Sequence, residues 1–152
     1  MVMASSTSSV DLAKKIAKEL GGEFYQILIK KLTDPENPNR AIGAVTEWGG
    51  VYLSREALER GLTPEGLWEH INALVEEMQK HRKNQVQLVT PKHRPAIFVD
   101  VGSRTGYRLM AALQSVKTFI PKIIVVATPK ISHRAFALIN NFCDEVIALK
   151  VR

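Results

Sequence analysis

The sequence predicts an α/β fold on a mostly parallel sheet, and three observations carry that expectation. From Ala96 onward, short apolar runs alternate with helical patterns in the order strand, loop, helix, strand, helix, strand, the rhythm of βαβ units. Earlier, a helical pattern over Val10–Leu20 runs directly into an apolar strand, which fits the same plan. The chain has 152 residues, 45% apolar and 24% charged, enough for one compact domain with a buried core and too few for two ordinary ones.

The elements follow in order. Within Val10–Leu20, Leu12, Ile16 and Leu20 recur at i, i+4 and i+8 while Lys14, Lys15 and Lys18 lie elsewhere, so this is an amphipathic helix ended by Gly21-Gly22. Residues 24–29 (FYQILI) read as a strand and 33–39 (TDPENPN) as turn chemistry throughout. Residues 41–45 and Val51–Leu53 are short strands joined through Glu47-Trp48-Gly49-Gly50 in a hairpin. The clearest helix comes next. Thr63 caps it, Pro64 takes the first turn, Leu67, Ile71, Leu74, Val75 and Met78 line one face, and it frays over 80–84. Residues 96–99 (AIFV) form an apolar strand, 100–106 (DVGSRTG) a loop, and a helix then turns Leu109, Met110, Leu113 and Val116 to the core. Residues 123–127 are a buried strand, Ser132 caps a further helix, and 146–149 close as a strand. Only the serine-rich 5–9 stretch is of low complexity.

Composition excludes several classes of protein. No wholly apolar run is longer than that at 123–127, far below the roughly 20 residues a membrane helix needs, so no integral membrane protein is expected. A single cysteine, Cys143, rules out an internal disulfide and a cysteine-built zinc site. Met1-Val2-Met3-Ala4 lacks the basic flank and long apolar stretch of a secretory signal, which makes a cytoplasmic location the expectation. The four histidines, His70, His81, His93 and His133, have no third partner at metal-ligand spacing, so they read as surface residues and no protein-built metal site is expected. Trp48, in a glycine-flanked turn, is the expected exposed aromatic, whereas Trp68 is expected to pack. A formal charge of +6 asks for anionic partners: phosphates, nucleotides or nucleic acid.

One loop carries chemistry. The 100–106 segment lies at the carboxyl end of a strand and opens a helix, where ligands of open α/β sheets sit. Gly102 and Gly106 let successive N–H groups point into one concavity, the helix N-terminus adds partial positive charge, and the Ser103 and Thr105 hydroxyls add donors, which makes a phosphate cradle. Asp100 would repel a phosphate but is a strong acceptor for sugar hydroxyls. The bland reading of the same residues, an ordinary βα turn with helix-start chemistry, stands beside it. Neither G-x-x-x-x-G-K-[ST] nor G-x-G-x-x-G occurs.

An acid ending a strand, then glycine, two residues, Thr-Gly and a helix resembles the phosphoribosyl diphosphate (PRPP) loop of type I phosphoribosyltransferases. A second block, Lys30-Lys31-Leu32, Pro35, Asn37-Pro38 and Ala41-Ile42-Gly43-Ala44-Val45-Thr46-Glu47, is similar to the K-L-x-x-P-x-N-P-x-x-A-I-G-A-V-x-E pattern of a bacterial group within that family. The resemblance runs in order from about Val10 to Leu149. It implies a three-layer α/β/α domain that binds PRPP, a phosphorylated ribose, with Mg²⁺ carried on the ligand. Gly102, Ser103, Arg104, Thr105 and Gly106 would hold the 5′-phosphate. Asp100 would hold the ribose hydroxyls and steady the oxocarbenium-like state of transfer. Lys30 and Lys31 would face the diphosphate, and 47–50 would belong to a mobile loop over the site. A homodimer is the common family assembly.

The chain departs from the family in ways that bear on activity. The pattern V-D-D-G-x-A-T-G-A-T appears as Val99-Asp100-Val101-Gly102-Ser103-Arg104-Thr105-Gly106-Tyr107-Arg108, so Val101 replaces the second acid while Arg104 and Arg108 add charge where phosphate would lie. The family's L-P-R-G-G turn has no counterpart before the first helix; residues 1–9 read as a flexible leader or an altered diphosphate loop, and 10–152 as the domain. Residues that would orient an acceptor are not evident. Two functions therefore stand: a phosphoribosyltransferase of unknown acceptor, or a member without transfer activity that acts as a phosphate-ligand, regulatory or RNA-binding module.

Overall fold

The computed structural model describes residues 1–82, 91–102 and 104–151. In chain order the elements are β1 (Val2–Ala4), α1 (Val10–Leu20), β2 (Phe24–Gln26), β3 (Ile29–Asp34), β4 (Asn37–Thr46) and β5 (Val51–Leu53). They continue with α2 (Arg55–Glu59), α3 (Trp68–Arg82), β6 (Pro95–Val99), α4 (Tyr107–Lys117), β7 (Ile123–Ile131), α5 (His133–Ile139) and β8 (Glu145–Val151). Five strands form one parallel sheet in the order β2-β1-β6-β7-β8, and β3-β4-β5 form a separate antiparallel sheet.

Alternation along the parallel strands sorts two faces. Val2, Ala4 and Val99 pack against Ala13 and Ala17 of α1. Met1, Met3, Tyr25, Ala96, Phe98, Ile124 and Val126 point the other way, onto Leu109, Met110, Leu113 and Val116 of α4 and Ala135 and Ile139 of α5. The expected α/β/α layering is therefore present. Helix α1 ends as its glycines dictate, with Gly21 at φ 65° and the Gly22 N–H donating to the Ala17 carbonyl at 2.9 Å. At the far side of the sheet, Ile147 and Leu149 of β8 are exposed.

Helix α4 is buried between both sheets. Its Leu109 and Leu113 face the parallel sheet, while Ala111 and Tyr107 meet Ala44 of β4. Small side chains allow this approach: a Cβ on Gly50 would lie 1.8 Å from Ser115 Oγ. Gly43 is required for a similar reason, because a Cβ there would reach within 1.9 Å of the Tyr52 carbonyl oxygen on β5. The outer face of the antiparallel sheet, Leu32, Ile42, Val45 and Leu53, is covered by Ala57 of α2, Leu67, and Ile71 and Met78 of α3.

Several expectations need correcting. The stretch read as a flexible leader contains β1, whose three residues are fully buried and pair with both β2 and β6. The Met1 amine extends that ladder by donating to the Pro95 carbonyl at 2.8 Å. The single strand expected over 24–29 is divided between two sheets. The 33–39 turn contracts to Pro35 and Glu36, with Asp34 Oδ1 accepting from the Glu36 N–H at 3.0 Å. Thr63 does accept from the Gly66 N–H at 3.0 Å, but the regular helix begins at Trp68. It runs unfrayed to Arg82; residues 83 and 84 of the expected fray lie outside the described residues. The tryptophans exchange roles, since Trp68 is exposed and Trp48 is packed between Tyr25 and Phe119. All four histidines are exposed. Among the described residues, no helix is long and apolar enough to cross a membrane.

Candidate functional site

The carboxyl ends of β1, β6 and β7 meet at one edge of the parallel sheet, and the segments that leave them are tied together. The Val101 N–H donates to Ser9 Oγ at 3.1 Å, Ser5 Oγ donates to the Val99 carbonyl at 3.3 Å, and Ser132 Oγ donates to the Arg104 carbonyl at 2.7 Å. Gly106 is the N-cap of α4 at φ 80°, a conformation that favours glycine, and Ala135 Cα would stand 3.3 Å from any Cβ placed there. The Tyr107 N–H donates to Thr105 Oγ1 at 3.4 Å, so the threonine sits over the opening turn of the helix.

These segments surround a cavity of about 520 Å³. The 100–106 loop contributes Asp100, Gly102, Arg104 and Thr105, and α4 contributes Tyr107 and Arg108. Ser5, Ser6 and Ser8 come from the turn after β1, and Lys31, Ala41 and Gly43 come from the antiparallel sheet. Arg134, from the first turn of α5, completes the lining. Four cationic side chains thus share the cavity with one carboxylate, a balance of charge that favours anions. Burial raises the Asp100 carboxyl above its usual value; the Gly102 N–H (2.9 Å to Oδ1), Arg108 and Ser5 offset part of that. Arg108 Nε is buried and has no hydrogen-bond partner. Arg134 Nη2 donates to the Tyr107 hydroxyl at 2.9 Å and also lies 3.9 Å from Glu56 Oε1.

Of the residues expected at the site, the fold brings together Asp100, Gly102, Arg104, Thr105 and Lys31, with Gly106 shaping the loop beneath them. Ser103 lies outside the described residues. Lys30 is a correction: adjacent strand residues point to opposite faces, and its ammonium pairs with Glu77 of α3 at 2.6 Å, lining a different cavity. The 47–50 segment is also corrected, because it is a fixed turn that does not line the site. Buried Glu47 receives Arg82 at 2.6 Å, the Tyr25 hydroxyl at 2.9 Å and the Leu28 N–H at 3.0 Å.

Arg134 was not foreseen. Its signal was the basic 130–134 cluster directly after a strand, at the same sheet edge as the 100–106 loop. Among the described residues, no group of three or more His, Cys, Asp or Glu is placed to hold a metal ion. Asp100 alone, together with a ligand's phosphate oxygens, fits the way magnesium is usually shared between one or two carboxylates and a phosphorylated substrate.

No family model matches the chain. It is 25% identical over 162 aligned residues to putative phosphoribosyl transferases from two strains of Mycobacterium tuberculosis; the match takes in 98% of this chain and 34% of theirs. The chain therefore spans about a third of the length of these curated relatives. A Thermus thermophilus protein of known crystal structure superposes with a TM-score of 0.76 at 31% identity, covering 99% of this chain and 74% of that one. The APRTase from Giardia lamblia, complexed with 9-deazaadenine, has a TM-score of 0.54 at 11% identity, covering 99% and 67%, a likeness of fold alone.

Proposed function

We propose that the chain is a divergent member of the type I phosphoribosyltransferase family and that its cationic cavity binds PRPP as a phosphoribosyl donor, a reading supported by its similarity to the mycobacterial proteins and by the shared fold. The observation that carries the reading is the convergence of Lys31, Arg104, Thr105, Arg108 and Arg134 around Asp100 at the carboxyl ends of the parallel strands. In this reading the 102–106 loop and the start of α4 hold the 5′-phosphate with backbone N–H groups and Thr105, and Asp100 accepts from the ribose hydroxyls. Arg104, Lys31 and Arg134 offset the charge of the diphosphate. Magnesium arrives on the ligand, with Asp100 the carboxylate available to it, and would supply charge neutralisation at the diphosphate. Asp100 also steadies the positive charge that develops on ribose as the bond to diphosphate loosens. The same proposal includes a homodimer, which light scattering would report as twice the mass of one chain.

A second reading has a specific basis: with Val101 in place of an acid, the ribose side of the cavity retains one carboxylate. The chain would then bind the phosphorylated ribose without transferring it. Calorimetric titration of PRPP, with and without Mg²⁺, tests the shared core of both. The expected result is Mg²⁺-dependent binding that weakens by about ten- to a hundredfold in Asp100→Ala and Thr105→Ala. Binding with release of diphosphate when acceptors are supplied selects the enzyme; binding without release across the acceptors tried selects the second reading. Absence of binding at millimolar PRPP overturns both, and a steep salt dependence with RNA would then point to nucleic acid.

A further inference from the structure

We propose that the outer edge of β8 is the surface through which two copies of this chain associate, their β8 strands pairing antiparallel about a twofold axis at Ile147 so that the two parallel sheets become one. The inference rests on the homodimer reading above, whose interface it names, and it is independent of PRPP binding.

The two sheets end on four strands, β2, β8, β3 and β5. A terminal strand offers a row of backbone donors and acceptors to any strand that meets it, and short length or lysines blunt that offer. Strands β2 and β5 have three residues each, and β3 carries Lys30 and Lys31. Strand β8 has seven residues, and at its middle Ile147 and Leu149 are 51% and 87% exposed. Val146 and Ala148 pack toward α4 and α5, so alternation turns Ile147 and Leu149 to the opposite face. Helix α1, on that face, packs on β1, β2 and β6 and stops short of β8.

Charge selects a second copy as the occupant. Asp144 precedes the strand and Lys150 lies near its end, and both are exposed. An acid at one end of an edge and a base at the other match an antiparallel copy of themselves. With Ile147 on the axis, Asp144 of each copy stands opposite Lys150 of the other, three residues to either side of the centre. The same register sets Ile147 against its own copy and brings Leu149 beside it on the diagonal. A twofold pairing of this kind closes on itself and covers both edges.

Light scattering at micromolar concentration tests this on the wild type, Lys150→Glu, Asp144→Lys and an equimolar mixture of the two variants, with thermal melts to establish that each is folded. Either variant alone sets like charges opposite each other at both ends, whereas the mixed pair joins opposite charges at both. The wild type is expected at twice the mass of one chain. Each variant alone should dissociate at least about tenfold more readily, and the mixture should return to twice the mass. Because Asp144 Oδ2 also accepts from the Ile124 N–H at 2.7 Å, Ile147→Lys serves as a variant that leaves this bond in place, and it is expected at the mass of one chain. Variants as dimeric as the wild type would overturn this interface and leave the homodimer reading standing. A mixture that stays at the mass of one chain would overturn the pairing as well. A wild type at the mass of one chain removes both this inference and the homodimer, while PRPP titration decides the proposed function separately.

Discussion

At the scale of single residues, the cavity holds its one carboxylate in an unfavourable environment. Asp100 is 7% exposed, and burial raises its carboxyl. A carboxyl whose folded value lies above its unfolded value of 3.8 favours folding in its protonated form. That contribution is complete below the unfolded value and is lost as pH rises through the folded one. Asp100→Asn is therefore expected to melt at a higher temperature than the wild type at about pH 7 and at the same temperature at about pH 3, which calorimetry at the two pH values would show. Strain of another kind sits at Ile120, a β-branched residue at φ 52° that is 65% exposed. Its carbonyl accepts from the His93 N–H, a backbone bond that survives any side-chain change. Ile120→Gly removes a left-handed penalty of about 1–2 kcal/mol and returns part of it as unfolded-chain entropy, so a gain of about 0.5–1 kcal/mol is expected from urea midpoints. The sequence disclosed Asp100 and Thr105 because their spacing is local. It disclosed Lys31 but not the separation of Lys31 from Lys30, which depends on which strand face meets the cavity.

Among the elements, the turn between β4 and β5 is fastened to the end of α3. Glu47 is buried, Arg82 pairs with it, and the Arg82 guanidinium also lies 4.6 Å from the centre of the Tyr25 ring. Removing the cation alone leaves a buried carboxylate without its charge partner, so Arg82→Ala is expected to destabilise the fold by about 3 kcal/mol in chemical denaturation. An Arg82→Met, Glu47→Gln pair should recover part of that loss. Elements with long or closed patterns were legible: α1 with its glycine stop, the 47–50 hairpin, α4, and the core of β7. Those missed have physical reasons. Strand β1 is three residues long, too short to display alternation, and a serine run follows it. Helix α2 has five residues. The break between β2 and β3 falls inside an unbroken apolar run, and it arises from tertiary contacts. The Ile27 N–H donates to Ala4 in one sheet, while Leu28 exchanges hydrogen bonds with Glu47 beside the other.

For the molecule as a whole, the apolar pattern led to a parallel sheet, but the cavity is assembled from parts that no linear pattern joins. Lys31 enters from the antiparallel sheet, Arg134 from α5 and the serines from the turn after β1. Helix α4 joins these parts because both sheets pack on it, and its first turn also lines the cavity. The placing of β1 has a consequence in time. Val2 pairs with Phe24 on one side and with Ile97 on the other, so its second partner is encoded 95 residues later. At about 5–20 residues per second, a ribosome needs roughly 5–20 s to supply that partner. For that interval β1 has an open edge, and the parallel sheet acquires its central strand β6 only after everything from β1 to α3 has been made.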